Sequence, residues 1–194
     1  WTVTRRLLNS GVAVGNIGVG GREWAYCAAC HRKLGGGIRV SASHNPPNYN
    51  GMKMVREQSR PISADTGLKT IRAIAERGNF TKPRRTGSVQ SVDIRAEYIT
   101  HLLSYVDRAA LRPLKIVVNA GNGGAGPIIY LLQPPLPLEF IKLHHSPPGK
   151  FPNGVPQPML EANPAPTIAR GRAPRAGFGV PLGGAFGPCF PFAR

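Results

Sequence analysis

One stretch of this chain holds a hydroxyl, an imidazole and an ammonium close together: Ser41-Ala42-Ser43-His44-Asn45-Pro46-Pro47, followed by Asn48-Tyr49-Asn50-Gly51-Met52-Lys53. A serine just past a strand, in a loop stiffened by Asn-Pro-Pro, can hold its oxygen toward a substrate, and His44 or Lys53 can polarise it. The plain alternative is a surface turn, because Asn-Pro and Asn-Gly are also strong turn signals.

Two further patterns carry chemistry on paper. Gly121-x-Gly123-x-x-Gly126 directly follows an apolar run ending at Val118, with Glu139 beyond it, and so matches the spacing of a dinucleotide-binding turn. The helix that would follow is expected to hold only about seven residues before Pro134-Pro135, short for that role. Cys27-Ala28-Ala29-Cys30-His31 matches the C-x-x-C-H of haem attachment, but zinc would need a second ligand pair and the third cysteine, Cys189, is distant. Two reduced thiols facing the core are the expectation there, because a free cysteine packs like a small hydrophobe. His144-His145 reads as a solvated turn, and His101 as a surface or boundary residue.

The elements that must position these residues alternate between β and α. Ile38-Arg39-Val40-Ser41 follows Gly35-Gly36-Gly37 and fits a short strand. Residues 64–77 read as a helix capped by Ser63 or Asp65, with Leu68, Ile71 and Ala75 on one face and Gly78 after its last turn. Ile94, Tyr98 and Leu102 recur every four residues behind Asp93, predicting a second helix over about 93–106. Leu114–Val118 and Leu138–Leu143 read as buried strands. Strand, helix and strand in that order predict an α/β fold, with mixed or parallel sheets flanked by helices.

From about Pro134 the chain becomes proline-rich, its only acids being Glu139 and Glu161. Two units are expected, 1–106 and a partial one over 111–194, with the tail from about 162 poorly ordered. Strand character is expected to be lost near Pro181, Pro188 and Pro191, since each proline removes a backbone donor.

The residues support a resemblance. Gly37-Ile-Arg-Val-Ser41-Ala-Ser43-His44-Asn45-Pro46, Tyr49-Asn50-Gly51-Met-Lys53 and Arg60-Pro-Ile-Ser63-Ala-Asp65-Thr-Gly67-Leu68 are similar to the α-D-phosphohexomutase family, in particular its bacterial phosphomannomutases. The likeness continues through Asn119-Ala-Gly121-Asn-Gly123-Gly124-Ala-Gly126-Pro127 and Phe151-Pro-Asn153-Gly154-Val-Pro156, covering about residues 10–160. It implies phosphohexomutase domain I followed by an incomplete domain II. It also implies that Ser43 is the phosphorylated residue, that His44 contacts the transferring group, and that Lys53 is a general acid/base or stabilises charge. The reaction implied interconverts hexose 6-phosphate and hexose 1-phosphate. The glycine turn would then open the second unit without binding a nicotinamide.

The same resemblance implies Mg²⁺, held by an oxygen of phosphorylated Ser43 and by three aspartates of a D-G-D-x-D-R loop. Here Gly183, Ala185 and Gly187 stand at the aspartate positions and Pro188 at the arginine, and no acid follows Glu161. A hard divalent cation wants carboxylate oxygens, so the family's metal site is not expected in this chain. With its start at Trp1 and nothing resembling the family's later domains, the chain reads as an N- and C-terminally incomplete member, expected to be weakly active or inactive.

Charge sets the class of partner. Lysine and arginine number 25 against 9 acids, giving +16 at neutral pH over 194 residues. Such a balance points to anionic partners, either nucleic acid or a phosphorylated metabolite. The tightest basic cluster, Lys82-Pro83-Arg84-Arg85, has no aromatic interleaving, which disfavours a nucleic-acid module and leaves a hexose phosphate as the expected partner. A dinucleotide-binding oxidoreductase working through Gly121–Gly126 is the other alternative. No apolar run approaches the roughly 20 residues that cross a bilayer, so no membrane partner and a cytoplasmic location are expected.

Overall fold

The computed structural model describes residues 1–42, 45, 48–146, 152–154, 165–171, 176–183, 189 and 191–193. The first half comprises α1 (Thr2–Asn9), β1 (Val14–Asn16), α2 (Arg22–His31), β2 (Gly36–Val40), β3 (Met52–Arg56), α3 (Lys69–Arg77), β4 (Val89–Ser91) and α4 (Arg95–Leu103). The second half comprises β5 (Leu114–Asn119), α5 (Gly126–Leu132), β6 (Leu138–Leu143), α6 (Ala165–Gly171), β7 (Phe178–Pro181) and β8 (Phe192–Ala193). β1 pairs with β4 in parallel, and β2 pairs with β3 antiparallel. The largest sheet has the order β6-β5-β7-β8, parallel except at β8. This is the expected α/β architecture.

The core forms where helical spacing places large side chains on one face. Trp24, Cys27 and Ala28 of α2 meet Ile94 and Tyr98 at the start of α4 and Ile128 of α5, so one apolar cluster joins the two halves. Ile94 is 2 % exposed, and Trp24 meets Tyr98 edge-on with ring centroids 6.0 Å apart. Burial pushes the Tyr98 hydroxyl up to about 12, because its charged form would lose water. Asp93 starts α4 by accepting the Arg95 backbone N–H at 3.0 Å, as the sequence predicts for that helix. α5 runs seven residues from Gly126, with Pro127 in its first turn, and ends just before Pro134.

Two expectations fail here. The helix of 64–77 is α-helical only from Lys69; ahead of it Ala64–Leu68 makes a π-turn in which Gly67 has φ 137°. Its apolar face is also not core: Leu68, Ile71 and Ile74 are 41 %, 39 % and 47 % exposed, because no described element packs closely over it. Ser63 does start the segment, its N–H donating to Thr66 Oγ1 at 2.7 Å, and Gly78 ends α3 at φ 62°.

The tail also keeps more structure than its prolines predict. Within it the described residues form α6 and β7, and β7 lies parallel to β5. Pro181 is tolerated because it is the last residue of β7. It sits opposite Asn119, and the next N–H, from Leu182, donates to the Asn119 carbonyl at 2.8 Å.

Candidate functional site

The serine-bearing loop grows out of the β2–β3 hairpin. Gly36 and Gly37 let β2 lie close to its neighbours: a Cβ on Gly36 would stand 2.6 Å from the Val55 carbonyl, and one on Gly37 would stand 3.3 Å from the Ala25 carbonyl of α2. Val55 fills the contact from β3 at 3 % exposure. Pairing extends one step past the strands, where Ser41 N–H donates to the Gly51 carbonyl at 2.9 Å.

Within that closure Asn45 turns back on Ala42, its backbone N–H and its side-chain amide both donating to the Ala42 carbonyl, at 3.1 and 2.8 Å. Asn50 Oδ1 accepts the Gly51 N–H at 3.0 Å. The asparagines are thus turn-makers at both ends of the loop. Ser43 and His44, two of the three catalytic candidates, lie outside the described residues, as do Pro46 and Pro47.

Lys53, the third candidate, is the second residue of β3, a strand the sequence pattern leaves unassigned. It is exposed and directly opposite Arg39 in the antiparallel register. Arg39 is only partly exposed, and burial is the main influence lowering its pKa; Glu23 and Tyr26 oppose the shift, and Arg22 adds to it. Two cations therefore stand side by side below the loop, and Arg39 was not singled out by sequence.

A second polar cluster occupies the carboxyl ends of the parallel strands, where open α/β sheets ordinarily receive ligands. Asn119, the last residue of β5, holds Gly121 N–H on its Oδ1 at 3.0 Å and donates from Nδ2 to Thr167 Oγ1 of α6 at 3.0 Å. Asn122 donates to the Ser146 carbonyl at 2.8 Å and accepts from Asn153 at 2.8 Å. Gly121 and Asn122 both have positive φ, 56° and 58°. The sequence alone marks these asparagines only as parts of turn motifs. Their signal is a polar residue directly at the end of an apolar strand.

His144 and His145 are not a solvated turn. His145 is buried, and its Nε2–H donates to the Val118 carbonyl at 2.9 Å. Burial pulls its pKa down, more than the backbone hydrogen bonds raise it. His144, at φ 52°, brings its Nδ1 within 3.1 Å of Asn119 Oδ1. Strand β6 delivers both residues to the sheet's carboxyl edge, and β5 beside it supplies the partners. His101 is partly exposed on α4, at the boundary the sequence suggests.

The glycine turn serves packing. A Cβ on Gly126 would stand 2.2 Å from the His145 carbonyl, so α5 can start only where a glycine lets it close on the segment after β6. Glu139 sits early in β6, paired in register with Lys115 and in an ion pair with it at 2.6 Å. That is the opposite end of the strand from the glycine turn, whereas a ribose-binding acid belongs at the carboxyl end.

Gly183 lies just past β7, at the same carboxyl edge as Asn119, and is buried. Ala185, Gly187 and Pro188 lie outside the described residues. The one described position of the implied metal loop has no side chain to offer. Among the described residues no three His, Cys, Asp or Glu side chains converge as a metal group. The residues present do not fit Mg²⁺.

The C-x-x-C-H segment lies on α2. Cys27 is buried as expected, but Cys30, one helical step round, is exposed. No described helix is long and apolar enough to cross a membrane.

Fold and hairpin together define a layered α/β protein in which the Ser-His-Asn-Pro segment connects the paired strands β2 and β3. Residues 2–82 match the phosphoglucomutase/phosphomannomutase alpha/beta/alpha domain I. The chain is 49 % identical over 183 residues to a protein named "Phosphohexose mutases" from Xanthomonas campestris pv. campestris strain B100, covering 94 % of this chain and 41 % of that one. It is 44 % identical over 198 residues to a phosphomannomutase of Escherichia coli, covering 98 % and 43 %. The crystal structure of a phosphoglucomutase/phosphomannomutase family protein from Burkholderia thailandensis superposes with a TM-score of 0.86 at 30 % identity, covering 96 % of this chain and 41 % of that chain. Over nearly its whole length the chain is similar to proteins of the phosphoglucomutase/phosphomannomutase family, and it spans about two fifths of the length of these relatives.

Proposed function

We propose that this chain carries the phosphoryl-relay part of a phosphohexomutase, resembling a phosphomannomutase more than a phosphoglucomutase and taking a hexose phosphate. The observation that carries the reading is the Ser-His-Asn-Pro loop on a closed β2–β3 hairpin, inside the stretch that matches domain I. Phosphorylated Ser43 gives its phosphoryl group to a free hydroxyl of a hexose monophosphate. The P–O bond to the serine breaks, a P–O bond to the sugar forms, and the hydroxyl proton passes to a base. The bisphosphate then returns its other phosphoryl group to Ser43, and a hexose phosphate with the phosphate at its other end leaves. His44 contacts the transferring group, and Lys53 holds the proton or the developing charge.

Phosphoryl transfer depends on positioning and on positive charge around a dianion more than on covalent assistance. The family ordinarily adds Mg²⁺ for that purpose. Here the charge available at the hairpin is that of Lys53 and Arg39, within a chain of +16. Turnover by this chain is accordingly expected to be weak or absent, even where Ser43 accepts a phosphoryl group. A first unit over 1–106 with the serine loop, a partial second unit over 111–194 and a reducing cytoplasmic setting complete the reading; the three cysteines are free.

The test is intact mass with peptide mapping after incubation with glucose 1,6-bisphosphate. One added phosphoryl group, mapped to Ser43 and lost in Ser43→Ala, supports the relay. A phosphoryl group elsewhere, or none on Ser43, overturns it.

A further inference from the structure

Three asparagines of this chain are followed directly by glycine: Asn50, Asn122 and Asn153. The pairing has a chemical consequence, because a glycine carries no side chain to hinder its own nitrogen from attacking the amide carbon of the residue before it. The fold treats the three differently. Asn122 is buried; its amide nitrogen donates to the Ser146 carbonyl at 2.8 Å, and its Oδ1 accepts from Asn153 at 2.8 Å. It cannot turn toward Gly123 without giving up both bonds. Asn153 is exposed, but the same bond to Asn122 holds its amide nitrogen.

Asn50 is arranged for reaction. It and Gly51 are both exposed, so water reaches them. Asn50 Oδ1 accepts the Gly51 N–H at 3.0 Å, which turns the amide group onto the nitrogen of the next residue. A carbonyl bond is about 1.23 Å long, so the amide carbon stands within about 4.2 Å of that nitrogen, not far from the roughly 3–3.5 Å of a near-attack arrangement. Gly51 is itself held, its carbonyl accepting the Ser41 N–H at 2.9 Å. Among the described residues no hydrogen bond holds the Asn50 amide nitrogen, the atom that must leave.

We propose that Asn50 is a self-modifying site at the foot of the serine loop, where the folded chain turns its asparagine into aspartate and isoaspartate. The Gly51 nitrogen loses its proton to solvent base and attacks Asn50 Cγ. The N–Cγ bond forms, the Cγ–Nδ2 bond breaks, and ammonia leaves with a proton taken from water. Water then opens the resulting five-membered imide at either carbonyl, giving aspartate or, by the other opening, a chain that runs through the former side chain. The net reaction takes up one water and releases one ammonia, with no oxidant or reductant. It places a carboxylate beside the loop in a chain of +16. The isoaspartyl form also lengthens the main chain just before Gly51, whose carbonyl closes the loop. The reaction is independent of the relay at Ser43.

Peptide mapping of the full chain, held for days in mildly alkaline buffer, tests the site. The peptide carrying Asn50 should gain one mass unit, or three in water labelled with oxygen-18, and part of it should accept a methyl group from an isoaspartate-specific methyltransferase. Its rate should exceed those at Asn122 and Asn153 by at least about tenfold. In urea the three rates should converge, because the bonds that separate them are gone. Gly51→Ala should slow the reaction at Asn50; its added Cβ would stand 3.3 Å from the Ser41 carbonyl, a contact that a small shift accommodates. An Asn50 that stays unmodified in the folded chain, or that reacts no faster than Asn122 or Asn153, overturns the proposal. A preference for Asn50 that persists undiminished in urea overturns it too, since local sequence and not the fold would then be its cause.

Discussion

Arg39 of β2 lies directly across the antiparallel ladder from Lys53 of β3, two steps below the hydrogen bond that closes the serine loop. Like charges directly opposed across a sheet repel. Arg39 is also partly withdrawn from water, which adds to the cost of its charge. An anion bound above the pair relieves both. Arg39→Glu gains Lys53 as an ion-pair partner but loses the attraction of Glu23, so the stability of the ligand-free chain is expected to change by less than about 1 kcal/mol. Inorganic phosphate is expected to raise the Tm of the native chain, and to raise that of the variant less. Thermal melts with and without phosphate check both halves. A variant that is equally responsive to phosphate would refute the account.

His145 sets an acid-side sensitivity. Its folded pKa lies below the usual value of 6.5, chiefly because burial disfavours the charged ring. The unfolded chain then binds the proton more readily than the folded one, so stability rises with pH. The contribution is fully present above 6.5 and is lost as pH falls from 6.5 toward the lower folded value. His145→Gln keeps a donor for the Val118 carbonyl but removes the titration. Urea midpoints measured at several pH values between 7 and 5 should fall less steeply in this variant than in the native chain.

Gly126 tests whether the glycine turn is built for packing. Its missing Cβ leaves room for the His145 carbonyl, which a methyl group would meet at 2.2 Å. Gly126→Ala should destabilise the chain by about 1–3 kcal/mol, since backbone, not a flexible side chain, would have to move. Calorimetry with NAD should show no binding to the native chain, because Glu139 is engaged by Lys115 at the far end of β6. A neutral Gly126→Ala or measurable NAD binding would count against the structural role of this turn.

What could be read from sequence, and what could not, divides by the range of the interactions. α4 is legible because Ile94, Tyr98 and Leu102 all face inward, and β5 and β6 because their apolar runs pair as parallel strands, β5 buried at its carboxyl end and β6 only half-buried. The Ser43 loop is legible because its turn-makers are local, and Asn45 and Asn50 do bond to their near neighbours. β3 was missed because Met52-Lys53-Met54-Val55-Arg56 buries only Val55, and its pairing partner lies across the loop. The depth of His145 was missed because it follows from the Val118 carbonyl, 27 residues away, and from the space Gly126 leaves. Leu68 and Ile71 show the converse: helical spacing marks an apolar face, but only a packed neighbour makes it core.

The response to Mg²⁺ follows from Gly183. It is buried at the carboxyl edge of the sheet, and it stands where the resembled pattern has its first aspartate. Without carboxylates at Gly183, Ala185 and Gly187, millimolar Mg²⁺ should neither raise the Tm of the native chain nor speed phosphoryl uptake by Ser43. The combined variant Gly183→Asp, Ala185→Asp, Gly187→Asp places three acids in this loop, the first at a buried position where an unpaired carboxylate is costly. In chelator it should melt below the native chain, and Mg²⁺ should restore the loss by binding the folded state alone. Calorimetric scans of both proteins, with chelator and with Mg²⁺, separate the outcomes. If Mg²⁺ stabilises the native chain as strongly as the variant, other oxygens hold the ion, and the loop at Gly183 is not what decides metal use.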